Sequence, residues 1–417
     1  MESESLYMDT AVTPVVPALY SAEFFRNRDP YPTYQKHLEG PVVQSSAMMP
    51  NTWLMFRYAA CSTHLRDPNL SAARPPKLLV PVPEADLPRF EDLASHLQRW
   101  LLMRDQPSHK PLRKLMNKGF SPLTIQQMRP RIELLVERLV DDLRAAPEPD
   151  IMRDFAYPLP VRVICELLGV PDALQDRCVV LTDDIAVLLA NPHVTTEAAE
   201  CAQDAVRELA AYFRDIIRDH EDDGEENLLN LLLHIADDDE QQMSEEELLA
   251  QCVMLLFAGH ETTRNLIGNG VYTLLRHPES LAAVRADPER VKSAVEEVLR
   301  FESPLQAVRR VTTAEVEFDG TRIPAGHTVI FVTAAANRDP RQFEDPDRFD
   351  IDRRLNRHLA FGADHHVCIG STLARLEGQI AIDAIMRAFP NLQLLDQTPD
   401  WRGHAAMRGF RTLRVGI

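Results

Sequence analysis

The sequence has few cysteines and no long run of apolar residues. Six cysteines are scattered over 417 residues without a Cys-x-x-Cys pair, a pattern that favours reduced thiols over a disulfide framework or a zinc site. The apolar runs are far shorter than the ~20 residues of a membrane-spanning helix. The N-terminus also lacks a basic segment followed by an apolar one, so no signal peptide is predicted. We expect a cytoplasmic protein without a membrane anchor.

Positive charge is also scarce. The chain has 45 Lys and Arg residues against 63 Asp and Glu, a net charge of −18, and this argues against nucleic acid as a partner because phosphate binding needs a basic surface. A hydrophobic content of 45% with 26% charged residues is typical of a globular protein. Length alone would allow two or three domains, and we find neither internal repeats nor low-complexity segments.

The most distinctive stretch surrounds Cys368 and reads Phe-Gly-Ala-Asp-His-His-Val-Cys-Ile-Gly over residues 361–370. A helical pattern begins directly after it, at Ser371. A cysteine just ahead of a helix lies where backbone N–H groups and the helix dipole favour the thiolate. Such a thiolate can bind iron or attack a substrate, although a lone cysteine is more often a buried packing residue.

The longest predicted helix begins with a capping box, Ser244–Glu247, and ends at about Arg276, before a proline. Its ~30 residues would extend ~45 Å and cross the whole molecule. Its middle, Ala258–Thr262, places an acid and a hydroxyl in an otherwise apolar run. One interpretation is a helix irregularity whose polar groups face another element. The other is that Thr262 opens the helix locally and, with Glu261, holds water beside a bound ligand.

Basic residues recur in two further places. His109 and Arg113 are four residues apart and share one helical face. Such a pair suits the carboxylates of a bound anion, but it is equally typical of a solvent-exposed helix surface. Arg309 and Arg310 precede two predicted strand segments, a hairpin over residues 315–323 with an Asp-Gly turn and a strand over residues 328–332.

These motifs resemble those of the cytochromes P-450, the haem-thiolate monooxygenases. The family's haem-ligand loop is Phe-Gly-x-Gly-x-His-x-Cys-x-Gly, which this chain matches except at Asp364, where the family usually has glycine. The family's acid–alcohol motif matches residues 258–262. Its Glu-x-x-Arg motif matches Glu297 and Arg300, with Arg348 expected to complete a buried structural triad.

The resemblance implies a mainly α fold with a small β-rich lobe, in which residues 1–417 form a single catalytic domain and the long helix crosses a haem b. Cys368 would be the iron ligand, and Glu261, Thr262 and Cys368 the catalytic residues. The residues implied in haem binding are His109, Arg113, Ala258, Thr262, Arg310, Phe361, Gly362, His366, Cys368 and Gly370, with Arg309 as an alternative to Arg310.

The implied activity is a monooxygenase that uses O2 to hydroxylate, epoxidise or couple an apolar small molecule in secondary metabolism. A peroxide-driven peroxygenase and a haem-binding sensor or carrier are the alternatives. The chain has no flavin or iron–sulfur signature, so a separate ferredoxin and ferredoxin reductase are expected to supply electrons to a monomeric enzyme. The expected docking face around Cys368 consists of Lys110, Lys114, Arg353, Arg354, Arg357 and Arg375. The substrate pocket is expected from residues 75–103, 170–215, 305–308 and 404–407.

Overall fold

The helices and strands are described from a computed structural model. It describes residues 15–16, 29–46, 49–190, 194–219, 228–229, 233, 243–396, 398–402 and 406–417. The α-helices are α1 (Tyr31–Glu39), α2 (Tyr58–His64), α3 (Pro76–Leu79), α4 (Glu91–Gln98), α5 (His109–Gly119), α6 (Pro122–Gln127), α7 (Arg129–Ala145), α8 (Pro158–Leu167), α9 (Asp172–Ala190), α10 (Thr196–Arg218), α11 (Glu245–Arg276), α12 (Pro278–Ala286), α13 (Val291–Phe301), α14 (Thr333–Ala336) and α15 (Ser371–Ala388).

The strands form one larger sheet and three two-stranded ones. They are β1 (Val15–Val16), β2 (Val43–Ser46), β3 (Thr52–Met55), β4 (Leu70–Ser71), β5 (Val308–Thr312), β6 (Val316–Phe318), β7 (Thr321–Ile323), β8 (Thr328–Phe331), β9 (Gln393–Leu394), β10 (Asp400–Trp401), β11 (Phe410–Thr412) and β12 (Val415–Gly416). The larger sheet has the order β1-β2-β3-β8-β5-β4. Helices thus dominate, beside a small β-rich lobe, as expected.

The long helix α11 is the centre of the helical core. Its capping box is present, because the Ser244 hydroxyl accepts from the Glu247 N–H and the Glu247 carboxylate accepts from the Ser244 N–H. It packs against α8, α9, α10, α13 and α15, so side chains on nearly every face are buried. Both predicted ends are confirmed. The predicted local opening at Thr262 is wrong, since the helix is continuous there and the Thr262 hydroxyl donates to the Ala258 carbonyl at 3.0 Å.

The β-rich lobe positions the arginines of β5. Strand β5 lies between β4 and β8, and both pairings are antiparallel. The predicted hairpin is confirmed as β6–β7, with Asp319 and Gly320 at φ values of 49° and 76°, the left-handed conformation that such a tight turn needs. Across the described residues, none of the helices has the length and apolar character needed to cross a membrane.

A buried ionic network fixes α13 to the segment that leads to Cys368. The Arg300 guanidinium is fully buried and donates to both carboxylate oxygens of Glu297, at 2.6 and 2.8 Å. The third member is Arg353, whose Nε lies 3.3 Å from Glu297. The prediction of Arg348 as this member was wrong: the turn at Arg348 directs its backbone carbonyl inward, where it accepts from Arg300 at 3.0 Å.

Candidate functional site

A cavity of about 400 Å³ between α11 and the Cys368 loop brings the predicted site residues together. Its lining includes His109, Arg113, Ala258, Glu261, Thr262, Arg309, Arg310, Phe361, Gly362, His366, Cys368 and Gly370. These residues come from α5, α11, β5 and the segment before α15. Most of the remaining wall is apolar, as in small-molecule binding sites.

The Cys368 loop is held in a tight backbone conformation. The Cys368 N–H donates to the Phe361 carbonyl at 2.8 Å, and Gly362 has a φ of 74°. The Cys368 residue is accessible from the cavity, and the protein encloses the cavity around it. Burial raises the pKa of this thiol, while the Gly370 N–H and the Arg113 and Arg375 guanidinium groups act in the opposite direction. The Gly370 N–H of the loop and the two arginines of the neighbouring helices therefore stabilise an anionic sulfur once a cation binds there.

Asp364 takes the left-handed conformation that explains why glycine is usual at this position. Its φ is 59°, which Asp tolerates better than most residues with a Cβ atom. We expect Asp364→Ala to lower the free energy of unfolding by about 1 kcal/mol, because alanine cannot make the local hydrogen bonds that favour this conformation.

The matched control for that variant is Asp364→Gly, for which a change within about 0.5 kcal/mol is expected. Urea denaturation of the two variants and the parent provides the measurement. Equal loss in both variants would mean that the Asp364 carboxylate, which bonds to His365, matters more than the backbone conformation.

The basic residues of α5 and β5 form one cluster at the edge of the cavity. The His109 and His366 rings lie 4.4 Å apart, and burial lowers the pKa of His109 to about 4, so this imidazole is neutral. Within the described residues, neither ring nitrogen of His109 has a hydrogen-bond partner. Arg113 donates to the Val367 carbonyl at 2.7 Å, and Arg310 is buried. The cluster therefore offers unused donors and positive charge to carboxylates, as porphyrin propionates would require.

The carboxylate of Glu261 on α11 forms ion pairs that its sequence motif did not indicate. The Glu261 carboxylate is buried in ion pairs with Arg264 and with Arg402, the latter at 3.2 Å. Arg264 also reaches Asp183 of α9 at 3.3 Å. Neither Arg402 nor Asp183 has a signal in the sequence that links it to Glu261. The acid is thus connected to α9 and to the segment before β11 as well as to the cavity.

Glu377 of α15 also lines the cavity, although it was not among the residues expected there. Its side chain is 3% exposed, and its Oε2 has no hydrogen-bond partner in the part of the chain that is described. Burial raises its pKa well above the usual value of 4.5. The available signal was an acid placed among the apolar residues of the helix's buried face, such as Leu373, Leu376 and Ala381. Burial therefore favours the neutral carboxylic acid form of Glu377 in the folded protein.

This protonated state makes stability depend on pH. Above pH 4.5 the unfolded chain releases the Glu377 proton and the folded protein keeps it, so the protein loses stability as pH rises, by up to about 1.4 kcal/mol per pH unit. We expect Glu377→Gln to gain stability relative to the parent between pH 5 and pH 8. Urea midpoints at both pH values measure the difference. Exposed Glu279→Gln is the control, and parallel pH profiles for Glu377→Gln and the parent would contradict the assignment.

The other segments expected around the substrate pocket contribute different numbers of residues to the cavity wall. Leu101–Met103 line the cavity from residues 75–103, but only Leu189 does so from the described part of 170–215. Residues 305 and 307–308 line it, as do Ala406 and Met407, whereas His404 lies outside the described residues. Residues 76–98 instead form α3, a 3₁₀ segment and α4, whose apolar faces pack into the core.

Comparisons with known proteins agree with this geometry. The family model "Cytochrome P450" matches residues 80–402. The chain is 40% identical to cytochrome P450 monooxygenase PikC of Streptomyces venezuelae, covering 93% of this chain and 91% of that one. It is 37% identical to 6-deoxyerythronolide B hydroxylase of Saccharopolyspora erythraea, covering 96% and 99%. The structure of P450BioI bound to an acyl carrier protein carrying hexadec-9Z-enoic acid superimposes with a TM-score of 0.86, at 33% identity, covering 95% of this chain and 100% of that one.

Proposed function

This chain belongs to the cytochrome P450 family and is a haem-thiolate monooxygenase, and we propose that Cys368 is its iron ligand. The observation that carries the assignment is the position of Cys368 in the cavity that Thr262 of α11, His109 and His366 also line; within the described residues, neither ring nitrogen of His109 nor the Nε2 of His366 has a hydrogen-bond partner. We also propose that the prosthetic group is haem b and that residues 1–417 form one cytoplasmic, monomeric catalytic domain.

The residues of the cavity fit a haem. Arg113 and Arg310 supply two positive charges for two propionates, and His109 and His366 supply neutral donors beside them. Ala258, Phe361, Gly362 and Gly370 contribute the apolar or unobstructed walls next to Cys368. When bound, the haem supplies the iron at which O2 is activated, and a thiolate ligand favours O–O cleavage.

We propose that Thr262 and Glu261 hold and transfer protons on the α11 side of the cavity. The Thr262 hydroxyl donates to the Ala258 carbonyl, so its lone pairs remain able to accept a hydrogen bond from a water in the cavity. The Glu261 carboxylate must loosen its pairs with Arg264 or Arg402 before it can exchange a proton with that water. These two ion pairs therefore control when the acid becomes available.

We expect Thr262→Ala to lower the amount of product formed per electron supplied by at least about tenfold. Alanine leaves the helix intact but removes the hydroxyl that orients water in the cavity. Product yield against reductant consumed measures the effect. Thr262→Ser keeps a hydroxyl and is expected to retain most of the coupling, so equal coupling in the alanine variant and the parent would exclude this role.

The substrate class follows from the cavity wall and from relatives. Apolar side chains such as Leu101, Met254, Leu255 and Phe257 line the cavity, so its occupant is mainly apolar. PikC and 6-deoxyerythronolide B hydroxylase are 40% and 37% identical to this chain. We propose that the protein hydroxylates or otherwise oxidises an apolar intermediate in secondary metabolism.

A ferredoxin is the proposed electron donor, and a ferredoxin reductase would supply it. Four of the six residues expected in the docking face are exposed, namely Lys110, Lys114, Arg354 and Arg357, so their charges are accessible to an acidic partner. Leu355 among them is 71% exposed and would add an apolar contact. Two expected members fit less well, because Arg353 is bound to Glu297, and Arg375 pairs with Glu296 at 2.6 Å.

The test combines a spectrum with isotope labelling. A strongly red-shifted Soret band in the dithionite-reduced carbon monoxide complex would support thiolate ligation by Cys368. Product oxygen derived from ¹⁸O2 in the presence of ferredoxin and its reductase would support the monooxygenase reaction. Turnover with peroxide alone would favour a peroxygenase, and haem binding without turnover would favour a sensor or carrier.

A further inference from the structure

Arg74 is a charged residue of the cavity wall that the proposed function does not use. It follows β4 and lines the cavity together with Arg309 and Arg310. Its Nε atom is buried and has no hydrogen-bond partner, and its guanidinium forms no ion pair with any residue in the described ranges. Buried polar atoms are normally hydrogen-bonded, so the Nε of this partly exposed side chain is open to a partner that the described residues do not supply.

The backbone around Arg74 is firmly anchored. The Asp105 carboxylate accepts hydrogen bonds from the Ser71 hydroxyl and from the Ala72 N–H, the latter at 2.8 Å. The Gln98 side chain donates to the Arg74 carbonyl at 3.3 Å. The side chain therefore starts from a fixed position at the end of β4, which reduces the entropy that ligand binding would cost.

The charges of the cavity wall do not balance with haem alone. Glu261 is already paired with two arginines, and burial raises the pKa of Glu377 and so favours its neutral form. Two propionates would compensate Arg113 and Arg310. Arg74 then remains as a further positive charge, partly buried and near the Arg309 and Arg310 guanidinium groups, which a third anionic group would compensate.

Arg74 is not one of the residues proposed for the propionates. After burial, and among those residues, Arg310 lowers both the pKa of His366 and the pKa of Arg74. Burial first, and then Arg309 and Arg310, lower the pKa of Arg74 to about 9, so it still carries its charge at neutral pH. Arg310 thus acts on both His366 and Arg74. Arg74 extends the positively charged surface of the cavity beyond Arg310.

We propose that Arg74 binds a carboxylate of the substrate, so that the enzyme takes amphiphilic acids whose apolar part occupies the remainder of the cavity. Arginine suits this role because its planar guanidinium can bind a carboxylate through two parallel hydrogen bonds. The apolar wall near α11 and residues 101–103 accommodates an aliphatic or alicyclic body. This inference rests on the proposed function, since the acid must bind beside the haem to be oxidised.

The experiment uses the haem-loaded protein and matched pairs of probes. Saturated fatty acids of 8–16 carbons and their methyl esters are titrated while the haem spin-state shift is monitored. We expect the parent to bind the best acid about 10- to 100-fold more tightly than its ester. Arg74→Gln should remove this preference by weakening acid binding without changing ester binding, and Arg74→Lys should retain part of it.

Several outcomes would overturn the proposal. These are equal binding of acid and ester by the parent, no binding of any acid in the series, or equal weakening of acid and ester in Arg74→Gln. Faster haem transfer from Arg74→Gln to apomyoglobin, with the acid preference unchanged, would instead assign Arg74 to a propionate. The carbon monoxide spectrum of the same preparations tests the haem-thiolate assignment separately, so failure of the two proposals can be distinguished.

Discussion

Cys368→Ser is expected to abolish the red-shifted Soret band of the reduced carbon monoxide complex and to reduce turnover at least about 1,000-fold, or about 4 kcal/mol of activation free energy. A serine hydroxyl does not ionise at neutral pH, so the anionic sulfur that favours O–O cleavage is lost. The surrounding hydrogen bonds, such as that from the Cys368 N–H to the Phe361 carbonyl, do not involve the side chain and should persist.

The control for that variant is Cys201→Ser. Cys201 is an exposed free thiol on α10, and its replacement should leave both the spectrum and turnover at the level of the parent. The measurements are the carbon monoxide difference spectrum per mole of haem and product formed per minute. A normal red-shifted band in Cys368→Ser would contradict the assignment of Cys368 as the iron ligand.

Arg300→Leu is expected to cost about 3–5 kcal/mol of stability, the largest stability effect predicted for a single site here. The substitution leaves the buried Glu297 carboxylate without its bidentate partner. It also leaves the inward-facing carbonyls of Asn337 and Pro346 without the donor that Arg300 provides at 3.0 and 2.8 Å. Urea denaturation and the yield of haem-loaded protein measure the loss.

Two further variants distinguish the members of this network. Arg348→Ala keeps the backbone carbonyl that accepts from Arg300, so we expect a change of less than about 0.5 kcal/mol. Arg353→Leu removes a side chain that contacts Glu297 directly and should be clearly destabilising. A larger loss for Arg348→Ala than for Arg353→Leu would show that the original expectation of Arg348 was right.

Local patterns predicted many elements closely. The capping box at Ser244 and the proline after His277 gave the limits of α11, because helix ends are satisfied by neighbouring residues in the chain. The Asp319–Gly320 turn was equally predictable from the sequence, since this type of turn needs positive φ and few residues adopt it. The grouping of His109, Thr262 and Cys368 around one cavity was expected only through the family resemblance, as no local rule relates residues so far apart.

Other features depended on packing and were missed or wrong. Arg348 and Arg353 lie five residues apart in one polar segment, and only the path of the backbone decides which side chain reaches Glu297. The local opening at Thr262, one of two interpretations of the sequence, is absent from the continuous helix, where the Thr262 hydroxyl donates to the Ala258 carbonyl. Arg402, which pairs with Glu261, is separated from it by more than a hundred residues.

The sequence by itself determined the limits of the main helices, the hairpin turn and the candidate iron ligand, because these depend on neighbouring residues or on an unbroken motif. The tertiary structure decided which charges are paired and which remain unsatisfied. Among the described residues, Glu261 acquired two arginines, the buried Oε2 of Glu377 found no hydrogen-bond partner, and Arg74 came to lie near Arg309 and Arg310. Ionic pairing and desolvation act between residues that are close in space, and distance along the chain does not reveal that proximity.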